Sequence, residues 1–252
     1  MISEKKEQRS IQVPEREFDI VMVNLSEMCE HEETIDTELD ALITSVENLG
    51  ELIWPMIVSK PIDGKYVILD GHHRHKGLMR IGAQTCPTAI IDYLNDDQIQ
   101  VESWLIVCDN SIDELVQEIN HNPQFGLTIE KSSYSKGSCS FKSDLIDRKF
   151  CAALVGNGGE IYVIRGSRDQ AMRFMNTYAI KNLRYFDCMD SLYKILETSP
   201  NTTGFFPWSY TKKEVVECAI KGHVFPPKST RHYMPWIPAR ISVPLSECMY
   251  TS

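Results

Sequence analysis

Asp70-Gly71-His72-His73-Arg74 stands where an apolar run, Tyr66 to Leu69, gives way to a helical pattern that continues to Ile81 and stops at Gly82. A helix N-terminus presents unpaired backbone N–H groups and a partial positive charge, and a glycine there lets an anion approach the backbone closely. Two imidazoles and a guanidinium add donors suited to phosphate oxygens. The pentapeptide therefore reads as phosphate-binding chemistry, set against the plainer reading of an aspartate N-cap followed by surface polar residues. A metal reading of His72, His73 and His75 fails on spacing, because i, i+1 and i+3 do not converge as the i, i+4 pair of a zinc helix does.

Two further segments could do chemistry. His31-Glu32-Glu33-Thr34 precedes a helical stripe, and a carboxylate there serves either as a general base or as a complement to the helix dipole. Six acids fall within residues 30–40, so a solvated acidic face is the plain alternative for any one of them. Pro226-Pro227-Lys228-Ser229-Thr230-Arg231-His232 is a stiffened loop whose side chains can donate to an oxyanion or a carboxylate, or simply form a solvated basic loop. Trp54, Trp104, Trp208 and Trp236 are expected as core or rim aromatics. Gly156-Asn157-Gly158-Gly159 reads as a hairpin turn, since a phosphate loop would need a following G-K-[ST].

The elements that must position these groups follow from periodicity. Residues 19–25 and 87–93 read as strands, Pro55–Lys60 and Tyr66–Leu69 as a hairpin, and Ser103–Cys108 as another strand. Ile35, Leu39, Leu42, Val46 and Leu49 recur at 4, 3, 4 and 3 and form one helical stripe, with Thr34 offered as N-cap and Gly50 as C-cap. Strand, helix, hairpin, helix and strand make a compact α/β unit in the first hundred residues. Beyond it come a helix near Ile112–Ile119, an exposed loop at KSSYSKGSCSFKSD, a hairpin at 152–164, and helices at about 168–183 and 211–221.

The chain has 252 residues with 42% hydrophobic and 24% charged side chains, an ordinary globular composition of one elaborated domain or two. No run is long and apolar enough to span a membrane, and the opening residues lack a signal-peptide core, so a cytoplasmic protein is expected. Eight singly scattered cysteines suit buried thiols rather than zinc or disulfides. The net charge of −9 arises in residues 1–60, which hold fourteen acids and five bases, while residues 211–252 hold six bases and three acids. No basic face of the kind that tracks a phosphate backbone shows in these totals, so nucleic acid is an unexpected partner.

HEETIDTELDALITSV at 31–46, YVILDGHHRHKGLMRIGA at 66–83 and KKEVVECAIKGHVFPPKSTRH at 212–232 together resemble the free L-serine kinases of the ParB/sulfiredoxin-like superfamily, especially the archaeal ADP-dependent type. The likeness runs from about residue 19 onward and is vaguest over 125–205. It implies an α/β (α+β) fold, with a ParB/sulfiredoxin-like nucleotide-binding unit at 1–108 and a C-terminal α/β domain at 109–252 that completes the serine site. It implies transfer of a phosphoryl group from ADP, or from ATP, to the hydroxyl of free L-serine, with Mg2+ as cofactor. Carried over residue by residue, Glu32 would be the general base. Asp70 would be catalytic and hold Mg2+, while Gly71, His72, His73 and Arg74 would bind the nucleotide. Ser45, Trp104, Thr230, Arg231 and His232 would bind serine. His75 departs from the family, where a large aromatic is expected, and the cysteine of the sulfiredoxins is replaced by His72. A nucleotide-sensing DNA-binding regulator of the ParB type is the competing implication.

Overall fold

The computed structural model describes residues 13–178, 183–186 and 188–250. Two sheets organise the chain. The first has the strand order Ile20–Asn24, Thr85–Ile91, Met56–Ser59, Tyr66–Asp70, Met28–Cys29, with mixed parallel and antiparallel pairing. Its strands alternate faces as a pleated sheet must. Met56, Val58 and Ile68 pack with Leu78 on one side, whereas Ile57, Val67 and Leu69 pack with Val215, Val216 and Ala219 on the other. The first side is covered by helices α1 (Asp36–Leu49) and α2 (His72–Arg80). Gly77 permits that covering, because a Cβ there would lie 3.3 Å from Ile43 and 3.5 Å from Leu39 of α1.

The second sheet is antiparallel, in the order Thr128–Lys131, Ile161–Arg165, Ala152–Gly156, Thr203–Pro207, Leu105–Cys108, Arg184–Phe186. Both its faces are buried, which explains why Ala152 to Val155 are uniformly apolar instead of alternating. Helices α3 (Ile112–His121) and α5 (Arg168–Tyr178) cover one face, and α4 (Cys139–Ile146) and α6 (Met189–Thr198) the other. Helix α7 (Lys212–Ile220) then returns the chain to the first sheet. Arg231–Tyr233, Ile237–Pro238 and Val243–Pro244 add short pairings to Gln100–Glu102, Glu15–Arg16 and Glu51–Leu52.

Several expectations change. Leu105–Cys108, assigned from sequence to the first unit, pairs in the second sheet. The polar stretch 131–144 is only partly a loop: Ser138 accepts a hydrogen bond from the Phe141 N–H and starts α4, which buries Phe141 and Leu145. Helix α1 is capped at Ile35 without a side-chain bond rather than by Thr34, because the Ile35 N–H is taken by His73 Nε2 at 3.1 Å. Helix α5 is described to Tyr178, and the expected continuation at 179–182 lies outside the described residues. Among the cysteines, Cys139 and Cys188 are exposed rather than buried.

Candidate active site

A cavity of about 860 Å3 opens between the N-terminus of α2, the segment around Glu32 and the loop at 228–238. The strand Tyr66–Asp70 delivers the pentapeptide to its mouth. Gly71, not Asp70, is the N-cap of α2, with φ 117°. A side chain there would be strained, and its Cβ would sit 3.0 Å from Met56 Cγ. The first intrahelical bond runs from His75 N to Gly71 O at 2.8 Å, so the N–H groups of His72, His73 and Arg74 precede the ladder. That is an anion-binding edge.

Side chains of the pentapeptide divide their work. Arg74 Nη1 donates to the carbonyls of Trp54 (2.9 Å) and Pro55 (2.6 Å), and Nη2 to Asp70 Oδ2 at 2.5 Å. Its guanidinium therefore stakes the 54–55 turn beside the anion edge. His73 Nε2 accepts the Ile35 N–H, which assigns its proton to Nδ1. His72 Nε2 lies 3.2 Å from His31 Nδ1. Burial depresses the His72 pKa to about 3, with His232, His75 and His73 nearby adding to the effect, so His72 is a neutral imidazole. His75 faces away: it is buried, Nδ1 contacts Glu30 Oε1 at 2.8 Å and Nε2 the Leu25 carbonyl at 3.0 Å.

Glu32 lines the opposite wall. Backbone bonds from Phe225 N to His31 O (2.8 Å) and from Glu33 N to Phe225 O (2.9 Å) hold this segment. Its carboxylate accepts the N–H of Lys228 and of Thr230, both at 2.8 Å, and the Thr230 hydroxyl at 2.7 Å. Desolvation nevertheless raises its pKa, against the lowering effect of those bonds and of the Lys228 charge. Lys228 has φ 59°, a left-handed turn that aims two N–H groups at one carboxylate. The result is an oriented carboxylate with an increased proton affinity.

The remaining sequence candidates are brought together with one exception. Trp104, Thr230, Arg231 and His232 all line the cavity. The Arg231 guanidinium lies 5.2 Å from the Trp104 ring centre and Arg231 Nη1 3.8 Å from Glu102 Oε2. His232 Nε2 bonds the Tyr93 hydroxyl at 2.9 Å. Ser45 is exposed on α1 and does not line the cavity, whereas Leu42, three residues earlier on the same helix, does. Trp54 and Trp236 also line the wall, although their sequence context suggested only core or rim. His31, fully buried at the centre, was visible in the sequence only as the neighbour of Glu32. Asp70 is the carboxylate beside the anion edge, and among the described residues no group of three His, Cys, Asp or Glu side chains could hold a metal by itself.

No family model matches the chain. It is 29% identical over 247 residues to an ATP-dependent L-serine kinase of Staphylothermus marinus, covering 93% of both chains. It is also 29% identical to the ADP-dependent L-serine kinase SerK of Thermococcus kodakarensis, covering 93% of this chain and 95% of that one. A solved free serine kinase in complex with AMP superposes with a TM-score of 0.81 at 28% identity, covering 94% of this chain and 96% of the other. The chain is similar to free serine kinases over more than nine-tenths of its length. Its α/β fold, with a ParB/sulfiredoxin-like N-terminal unit and a C-terminal α/β lobe, is the one that this relationship implies. The match to free serine kinases extends through 125–205, where the sequence likeness is faintest, and it does not favour a ParB-type regulator.

Proposed function

We propose that the protein transfers a phosphoryl group to the side-chain hydroxyl of free L-serine, giving O-phospho-L-serine, with ADP as donor and AMP as product, and ATP as the lesser alternative. The observation that carries this reading is the placing of the Glu32 carboxylate across one cavity from the unpaired N–H groups of α2. Phosphoryl transfer demands charge stabilisation of the moving group, alignment of two oxygens, and a base beside the nucleophile. The N–H groups of His72, His73 and Arg74 would stabilise the phosphates, with neutral His72 and His73 as further polar contacts. Positive charge would come from Lys228, whose Nζ stands 3.1 Å from Glu38 Oε2 at the cavity wall. Glu32 would accept the serine proton, since desolvation raises its proton affinity above that of an exposed glutamate while its three hydrogen bonds favour the charged form.

Asp70 fits a magnesium ion bound in the usual way, through one carboxylate plus substrate phosphates, and that ion would neutralise charge on the departing phosphate. The Arg74 bond to Asp70 leaves the carboxylate 57% exposed and turned toward solvent. Arg231 suits the carboxylate of a zwitterionic amino acid, and the acidic residues near Glu32 suit its ammonium group, with Thr230 beside them holding Glu32. ADP is favoured by the spelling of Glu38–Val46 and Pro227–His232, which resembles the archaeal ADP-using type. Phosphorus NMR of the protein with serine, Mg2+ and ADP tests the reading. O-phosphoserine and AMP are expected, and their absence with both ADP and ATP would overturn it.

A further inference from the structure

Arg168 opens α5, and its side chain is 1% exposed. Nε donates to the Trp208 carbonyl at 2.7 Å, and Nη2 to Ser103 Oγ at 2.9 Å and to the Ser229 carbonyl at 2.6 Å. The guanidinium lies 4.3 Å from the centre of the Tyr210 ring. Its nearest carboxylate contact is long, 4.0 Å from Nη1 to Asp169 Oδ1. The Ser229 carbonyl belongs to the same peptide group as the Thr230 N–H, which donates to Glu32 Oε2 at 2.8 Å. In a trans peptide the carbonyl and the N–H point to opposite sides of the chain. One planar group therefore carries Arg168 at its oxygen and Glu32 at its hydrogen.

We propose that Arg168 is a positioning residue that holds the Ser229–Thr230 peptide with its N–H on Glu32 and, through the dipole of that peptide, tunes the carboxylate's affinity for a proton. This rests on the reading of Glu32 as the base. A cation at a carbonyl oxygen polarises the peptide and strengthens its N–H as a donor, which favours the ionised carboxylate. A direct Arg–Glu pair would lower the glutamate's pKa by about 1 to 3 units and weaken it as a base. Interposing one peptide keeps the orientation without that full loss. Helix α5 reaches the same region twice more, through Arg173 to Glu33 at 2.7 Å and Asn176 to the Pro227 carbonyl at 3.4 Å. Other charged or titratable groups also face Glu32: Lys228, with Glu38 on its Nζ, His31 through the Thr230 hydroxyl, and Tyr185, on which Glu32 acts electrostatically.

The test is direct titration of Glu32 by carbon NMR in protein labelled at glutamate Cδ, with Glu32→Gln to assign the signal. In Arg168→Met the Glu32 titration is expected to move up by about one pH unit. The acid limb of kcat should move with it, while KM for nucleotide stays within about threefold. Arg168→Lys, which keeps the charge, should recover part of the shift. An unmoved Glu32 titration in folded Arg168→Met would overturn the proposal, however far the melting temperature falls, and leave Arg168 as a core staple. Should the Arg168 variants not fold, nitrogen NMR of the buried Arg168 guanidinium in otherwise native protein decides. Its resonances should follow the Glu32 titration and stay fixed in Glu32→Gln, and resonances that ignore Glu32 would overturn the proposal. Titration needs no turnover, so a failure to make O-phosphoserine would count against the kinase reading alone.

Discussion

His31 and His72 meet edge to face, with ring centres 4.4 Å apart and His31 Nδ1 3.2 Å from His72 Nε2. Two cations cannot occupy that contact. The Thr230 hydroxyl donates to Glu32 and sits 2.9 Å from His31 Nε2, so it accepts there from His31, while the His31 backbone N–H donates to His72 Nε2 at 3.4 Å. Burial also depresses His31 well below its ordinary value and His232 to about 4.

Those neutral histidines set the acid stability of the fold. A histidine with a depressed folded pKa takes up its proton only on unfolding once the pH drops below about 6.5. Stability is complete above that value and is lost as the pH falls toward about 4 for His232 and about 3 for His72. Thermal melts from pH 8 to pH 4 should show a falling Tm, with a shallower slope in His232→Gln. A flat profile would mean that these rings are protonated in the folded protein.

Replacing Glu32 with Gln should lower kcat by about 100-fold or more, since general-base assistance is typically worth ~10² to 10⁴. Nucleotide affinity should change little. Because desolvation raises the Glu32 pKa, the acid limb of the wild-type kcat profile should lie above the range of an exposed glutamate. Retention of more than about a third of the turnover would make the residue a helix-dipole complement.

Thr230→Val removes the hydroxyl bond that lowers the Glu32 pKa but keeps the residue's shape. The acid limb should shift to higher pH, and KM for serine should rise. Thr230→Ser should restore both. Kinetics across pH 5 to 9 check this, and an unshifted limb would show that the hydroxyl does not bear on Glu32.

Arg74→Ala should reduce both stability and nucleotide affinity, because the guanidinium ties the Trp54 and Pro55 carbonyls beside the anion edge. Charge-assisted bonds of this kind are worth about 1.5 to 3 kcal/mol each. Calorimetry and melting of one sample separate the two effects. Undiminished nucleotide affinity would move the phosphates away from α2.

The donor is open to a head-to-head comparison of kcat/KM with repurified ADP and ATP. We expect ADP to be preferred, and a tenfold preference for ATP would reverse the assignment while leaving phosphorylation of serine intact.

The site was legible in sequence where one short segment carries its own chemistry. Asp70 to Arg74 join a strand to a helix, so their placement is a local consequence of the chain. Glu32 was legible as a candidate, but its three donors lie almost two hundred residues away. Arg168 was illegible, since only the packed sheet brings α5 under the 228–230 loop. Helix α4 was hidden by its two serines and its lysine, although Ser138 ahead of the Phe141–Leu145 spacing was the available signal. Ser45 was drawn in by resemblance, and on α1 it is Leu42 rather than Ser45 that lines the cavity.

The pairings of residues 231–244 with Glu15–Arg16, Glu51–Leu52 and Gln100–Glu102 bear on the order in which the protein matures. During synthesis Glu32 leaves the ribosome 198 residues ahead of Thr230. Contacts of such long sequence separation form slowly compared with local ones such as the 56–70 hairpin. Until the long-range contacts form, the carboxylate is bathed in water and the cavity has only one wall. A nascent chain therefore carries α2 and Glu32 before the donors that orient the carboxylate, and on the proposed reading the site is incomplete until residues 228–230 are in place.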